Sequence, residues 1–232
     1  MRSIFSILLL SISFLAAGQL VDTVRVKSDW NPSRIHFGVD ANRFYNTVVK
    51  SYETSYGGMV DIDMHKFFVV LEGGWEKNHR IASYEYTNQG LFFKAGVDYN
   101  LIPHNIYRNA MSLGVRYASS YFSDQLVFED DNYWYGNRTA TLSNDALSAQ
   151  WVEILLNLKV RIWKNLFLGS IVRIETLKNL SDTGHLVPYD VPGWGRNRKS
   201  GTDLKTTNMG FSYYVIWNLA FREKEIPNKK QN

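Results

Sequence analysis

After residue 33 apolar and polar residues alternate one for one through most of the chain. The last run is the plainest: Phe211, Tyr213, Val215, Trp217, Leu219 and Phe221 are all apolar, while Ser212, Tyr214, Ile216, Asn218 and Ala220 between them form a smaller and more polar set. A helix would scatter those six, because alternate residues on it lie about 200° apart. A strand collects them on one face. The same period recurs at 35–41, 56–64, 67–75, 91–99, 111–117, 152–162 and 166–174, so the pattern predicts eight strands.

The connections alternate in length. Tight joins fall at His65-Lys66 and Lys164-Asn165, and a moderate one spans Ile102 to Arg108. The others, at about 43–52, 78–89, 122–148 and 178–206, are longer, and the first of them (Phe44 to Tyr52) has the makings of a short amphipathic helix. Alternation of this kind is expected of a meander whose short turns face one compartment and whose loops face the other. The predicted fold is all-β: an eight-stranded antiparallel up-and-down transmembrane β-barrel with long extracellular loops and short periplasmic turns.

A soluble barrel, and less readily a sandwich, would show the same period, so the charges must decide. One face of the strands is large and almost free of charge. The other holds Asp61, Asp63, Glu72, Glu76, Lys94, Asp98, Arg116, Glu153, Lys159, Arg161, Arg173 and Glu175. An arginine or lysine facing mid-bilayer lipid costs roughly 2–4 kcal/mol, which accounts for the exclusion. Tyr56, Trp75, Tyr99, Tyr117, Trp163 and Phe221 fall near strand ends, as interfacial girdles require.

Composition narrows the picture further. Of 232 residues, 15% are aromatic and none is Cys. That removes disulfides, thiolate metal sites and cysteine nucleophiles. A net charge of +4 without a dense basic stripe argues against nucleic acid. Met1-Arg2, the apolar run Ile4 to Leu15 and Ala16-Ala17-Gly18 have the layout of a signal peptide cleaved before Gln19. The expected organisation is a signal peptide at 1–18, a periplasmic leader at 19–33, the barrel at 34–222 and a polar tail at 223–232, exported to the outer membrane of a Gram-negative cell.

Five segments carry a family likeness: Gly96-Val97-Asp98-Tyr99-Asn100, Gly114-Val115-Arg116-Tyr117, Trp151-Val152-Glu153, Lys164-Asn165-Leu166-Phe167-Leu168-Gly169 with Arg173, and Val191-Pro192-Gly193-Trp194. Through them the chain resembles an uncharacterised small outer-membrane β-barrel family (a domain of unknown function) of Bacteroidota-type Gram-negative bacteria. The resemblance spans nearly the whole mature chain. It implies a location and a fold, and it brings no activity and no catalytic residues.

The interior of an eight-stranded barrel is just wide enough to be filled by side chains, and charges buried there must be paired. Acids gather on strands two and three and bases on strands five to seven, so the two sets face each other. The expected lumen network is Glu72, Lys94, Arg116, Glu153, Arg161 and Arg173. A closed interior is the first expectation and a narrow gated channel an alternative. In the loops, Tyr133, Trp134, Tyr135, Trp194, Arg196 and Arg198 are candidates for contact with lipopolysaccharide, other outer-membrane lipid or an envelope protein partner, unless they pack on one another and cap the mouth. Glu129-Asp130-Asp131 could attract a divalent ion, but three acids in a row seldom make a rigid site. No cofactor motif or metal-ligand pair is present. His79 with Ser83 and Glu85 is the only faint arrangement suited to a lipid hydrolase or acyltransferase. The functional expectation is a non-enzymatic structural or accessory barrel, with a lipid-modifying enzyme as the runner-up.

Overall fold

A computed structural model describes residues 30–222, apart from 83, 104, 106, 107, 133–135, 182, 185 and 197–205, with the side chains of 130–137 also left out. The segments expected to be a signal peptide (1–18), most of a leader (19–33) and a polar tail (223–232) therefore lie outside the described residues.

The elements are β1 (Arg34–Asp40), α1 (Ala41–Val49), β2 (Glu53–Met64), β3 (Phe67–Ile81), β4 (Tyr84–Asn100), β5 (Ala110–Asn132), β6 (Gly136–Trp163), β7 (Leu166–Leu180), the short pair β8 (Asp190–Val191) and β9 (Gly195–Arg196), and β10 (Thr207–Ala220). Eight of the strands close a ring in which every pairing is antiparallel. β1 through β7 pair in chain order, and β10 lies between β7 and β1. Closure is made by the register Arg34↔Ala220 to Asp40↔Tyr214.

The expected turns at His65-Lys66 and Lys164-Asn165 are both present, with His65 taking the left-handed conformation at φ 59°. A helix is present where one was expected, but as α1 it begins at Ala41 and ends at Val49, three residues earlier at each end than the expected 44–52. Its N-terminus is capped by Asp40, whose carboxylate accepts from the backbone N–H groups of Asn42 and Arg43.

Two of the long connections are not loops. β3 runs to Ile81 and β4 starts at Tyr84. β5 and β6 continue as a ladder out to Asn132↔Gly136, past an irregularity between Phe122 and Asp124. Both faces are largely polar there, as in Arg138-Thr139-Ala140-Thr141, so no apolar contrast marks the strand, whereas ladder bonds between backbones need none.

Faces follow the alternation. Leu71, Phe93, Val115, Ile154, Val172 and Val215 are exposed around the outside, and Trp217 is 55% exposed. Their neighbours point inward and are buried. Among the described residues three small apolar clusters occupy the inside. Phe68, Val70 and Ala110 pack near the short-turn end. Met59, Leu155, Phe167, Ile171, Tyr214 and Ile216 line one wall. The third includes Phe92, Phe122, Leu147 and Trp151, toward the loop end. Among the described residues the rest of the buried interior is largely polar, mixing ion pairs with neutral side chains such as Ser112, Ser120 and Asn157.

Candidate functional site: an ion-paired lumen beneath a loop plug

Glu72 on β3 is the centre of the lumen network. Its Oε2 accepts from Arg116 Nη1 at 2.6 Å and its Oε1 from Arg173 Nη1 at 3.0 Å. Arg116 Nη2 donates to Asp98 Oδ2 at 3.1 Å, which also accepts from Asn157. Arg173 donates again to Glu153 Oε2 at 3.1 Å. Lys94 Nζ meets Glu153 Oε1 at 2.7 Å, and the Trp151 indole donates to the same oxygen at 2.8 Å.

The pairing crosses the lumen more than it follows the wall. Glu72 and Lys94 are direct register partners, yet their charged atoms lie 3.8 Å apart. The shorter bonds run from β3 to β5 and β7, and from β4 to β6. Glu153 and Glu175 are like charges side by side in register, an unfavourable pair on its own. Lys94 offsets it by standing 2.7 Å from one and 3.6 Å from the other. Gly114 leaves room for Asp98, the partner of Arg116: a Cβ there would run into its carboxylate.

A separate cluster sits nearer the short turns, where Asp61 accepts from Lys159 Nζ at 2.6 Å and contacts His36 Nδ1 at 2.7 Å. At the loop end Arg43 of α1 reaches inward. Its Nη1 meets Glu76 Oε2 at 2.8 Å, and its guanidinium lies 4.4 Å from the centre of the Phe92 ring.

The loop after β7 turns back into the mouth as a plug. Val191 O accepts from Trp194 N at 3.0 Å, closing a turn with Pro192 at the second position and Gly193 at the third. Gly193 has φ +81°, which such a turn requires and side chains resist. A Cβ on Gly193 would strike Phe92. Lys94 Nζ donates to Gly193 O at 3.0 Å, and Gly193 N donates to Glu76 Oε2 at 3.3 Å. Asn88 holds Asp190 O at 3.0 Å, and Arg80 pairs with the Asp190 carboxylate at 3.0 Å. Trp194, 2% exposed, completes the upper apolar cluster with Phe92 and Trp151. Between plug, α1 and β10 a polar cleft of about 280 Å³ remains.

Groups around the plug, beyond the apolar belt, feel their burial. Desolvation holds the Asp190 carboxyl above its ordinary range against the pull of Arg80. Burial, then the charges of Asp124 and Asp190, pushes the Tyr86 phenol well above its usual value. Tyr86 therefore stays a hydroxyl, donating to Asp124 Oδ2 at 3.3 Å and accepting from Tyr189 N at 3.1 Å.

Of the expected lumen residues, Glu72, Lys94, Arg116, Glu153 and Arg173 come together. Arg161 does not. It has the right parity, but β6 is irregular between Arg161 and Trp163 as it leaves the ring, and its side chain is exposed. Asp98 and Glu175 belong to the network although only their inward parity marked them. Arg43 was not legible, because it arrives on a helix. Trp194 follows the capping alternative: a Pro-Gly turn carries it down into the barrel mouth, where it is buried. Arg196 is exposed, whereas Tyr133, Trp134, Tyr135, Arg198, Ser83 and the side chains of Asp130 and Asp131 lie outside the described residues. His79 contacts Thr87 Oγ1 at 3.0 Å and stands 3.9 Å from Glu85, a pairing across adjacent strands.

One family model, described as a domain of unknown function (DUF6048), matches residues 1–224. Among solved structures the chain is similar to Neisserial surface protein A, at 10% identity and a TM-score of 0.42, over 82% of this chain and 96% of that one. No protein of curated function matches it.

Proposed function

The chain belongs to the domain-of-unknown-function family DUF6048, and from that premise we propose that it is an integral outer-membrane barrel with a sealed lumen and a non-enzymatic, structural or accessory role. Its outer wall meets acyl chains, its rims meet lipid head groups including lipopolysaccharide, and its loop end is the place for an envelope protein partner. The export signal read at residues 1–18 fits this location.

The supporting observation is the inversion of the molecule. Exposed apolar side chains circle the outside, while Glu72, Asp98, Arg116, Glu153 and Arg173 are buried inside and paired. A barrel in water gains by the opposite arrangement. Sealing follows from the cross-lumen bonds and from the plug above them.

Reconstitution tests both parts. The purified chain should fold into lipid vesicles and migrate differently on gels before and after heating. In planar bilayers it should show no stable single-channel steps. A chain that stayed monomeric in buffer without detergent would end the membrane reading. Stable unitary currents would replace the sealed barrel by a second reading, a narrow gated path. That reading has one observation in its favour: the seal is a loop, held in part by the same Lys94 that pairs with Glu153.

A further inference from the structure

β1 is too short for its place in the ring. It has seven residues, whereas a tilted strand needs about 9–11 to cross a bilayer. Its pairing ends at Val39↔Gly58 on one side and Asp40↔Tyr214 on the other. Above that level β2 continues to Glu53 and β10 to Thr207 without β1 between them. α1 packs against both strands there.

The helix also answers the backbone groups that β1 leaves open. Thr47 Oγ1 accepts from Ser55 N at 2.8 Å and donates to Ser55 O at 2.8 Å, so one side chain serves both backbone groups of a β2 edge residue. On the other side Asn42 Nδ2 donates to Phe211 O at 3.5 Å. In hydrocarbon such groups cannot turn to water.

The rest of the polar stripe faces the barrel: Arg43 to Glu76, Asn46 to Glu53 at 3.1 Å, and Lys50 to Glu53 at 2.8 Å. The opposite stripe is Phe44 with Val48 and Tyr45 with Val49, each pair four residues apart and so on one face. No residue of the helix is buried, and Phe44 and Val48 are 59% and 71% exposed. Beside this stripe stand the outward side chains of Tyr56 on β2 and of Phe211 and Tyr213 on β10, all exposed.

We infer that α1 is a membrane-interfacial part of the barrel wall, with Phe44, Tyr45, Val48 and Val49 lying against the acyl chains of the leaflet at the loop end. Its apolar stripe continues the lipid-facing belt upward where β1 stops, and amphipathic helices of this kind sit roughly 5–10 Å into the boundary between head groups and chains. The occupant of this face is lipid. The inference rests on the membrane-spanning reading above, and its test separates the two.

The chain has no cysteine, so single cysteines can be introduced and labelled with an environment-sensitive fluorophore. The variants are Val48→Cys and Phe44→Cys on the helix, Val172→Cys on the belt and Ile81→Cys beyond it. Each is reconstituted in phosphatidylcholine vesicles carrying a nitroxide quencher at a shallow or a deep chain position. Both helix labels should be quenched several-fold more by the shallow probe than by the deep one. The Val172 label should be quenched by the deep probe and the Ile81 label by neither. Quenching at Val172 with none at Val48 and Phe44 overturns the inference and leaves the membrane barrel standing; cross-linking of those two positions to a protein in native membranes would then identify a partner as the occupant. No quenching at Val172 either removes the membrane reading itself.

Discussion

A carboxylate such as Glu72, buried between two guanidinium groups, is held by what surrounds it. Removing one member of a buried ion pair leaves the other charge uncompensated, at a cost of about 3–5 kcal/mol. Glu72→Gln removes the charge that Arg116 and Arg173 face at 2.6 and 3.0 Å and replaces one of the two accepting oxygens by an amide donor. It should lower stability by that amount in urea titrations of the vesicle-folded protein. Arg161→Ala, at an exposed site, should stay within about 0.5 kcal/mol. The contrast is informative because sequence parity alone makes the two positions equivalent. Parity is a local property and was legible wherever one face of a strand is apolar. Whether an inward side chain meets the lumen or the end of the barrel depends on height, and height is set by the stagger between strands.

Among the elements, the plug depends on backbone geometry at one residue. Gly193→Ala places a side chain at φ +81° and against Phe92, a strain of about 1–3 kcal/mol. Undocking should become more frequent, and tryptic cleavage after the exposed Arg196 should accelerate roughly 5- to 150-fold where cleavage follows the open population. The plug should also answer to pH. The Asp190 carboxyl sits above its ordinary range when docked, so docking binds a proton more tightly than the free loop does. Its contribution is complete in acid and is lost as pH rises through the elevated value. Hydrogen exchange of the loop amides should show weaker protection at pH 7 than at pH 4, and Asp190→Asn should flatten that difference. From the sequence, Trp194 could either offer a surface or cap the mouth. The choice between them lies in contacts from β3 and β4, through Glu76, Asn88 and Lys94, and so in the closed ring.

For the molecule as a whole the decisive quantity is what the outside faces. Ile154→Arg puts a guanidinium on the belt and should cost about 2–4 kcal/mol in vesicles, whereas Ile81→Arg, beyond the belt, should cost about 0–1 kcal/mol. Equal costs would mean that the belt is not in lipid. At this scale the reading from sequence was nearly complete. The eight strands, their order, the inward and outward faces and the tight turns all follow from a period of two broken by turn residues. Those signals are local, and each strand pairs with a chain neighbour except where β10 closes on β1.

By itself, then, the sequence determined a ring of eight strands with an apolar exterior and an interior holding both signs of charge, because side-chain alternation and turn chemistry act between residues a few positions apart. Only the tertiary structure decided that Glu72 takes Arg116 and Arg173 rather than its wall neighbour Lys94, that Trp194 seals the mouth, that the β5–β6 ladder runs far past its apolar stretch, and that α1 stands in for the upper part of β1. Each of these depends on strand stagger or on contacts between residues far apart in the chain, such as Arg173 with Glu72, 101 positions apart, and Asn42 with Phe211, 169 positions apart. Such distances exist only once the ring has closed.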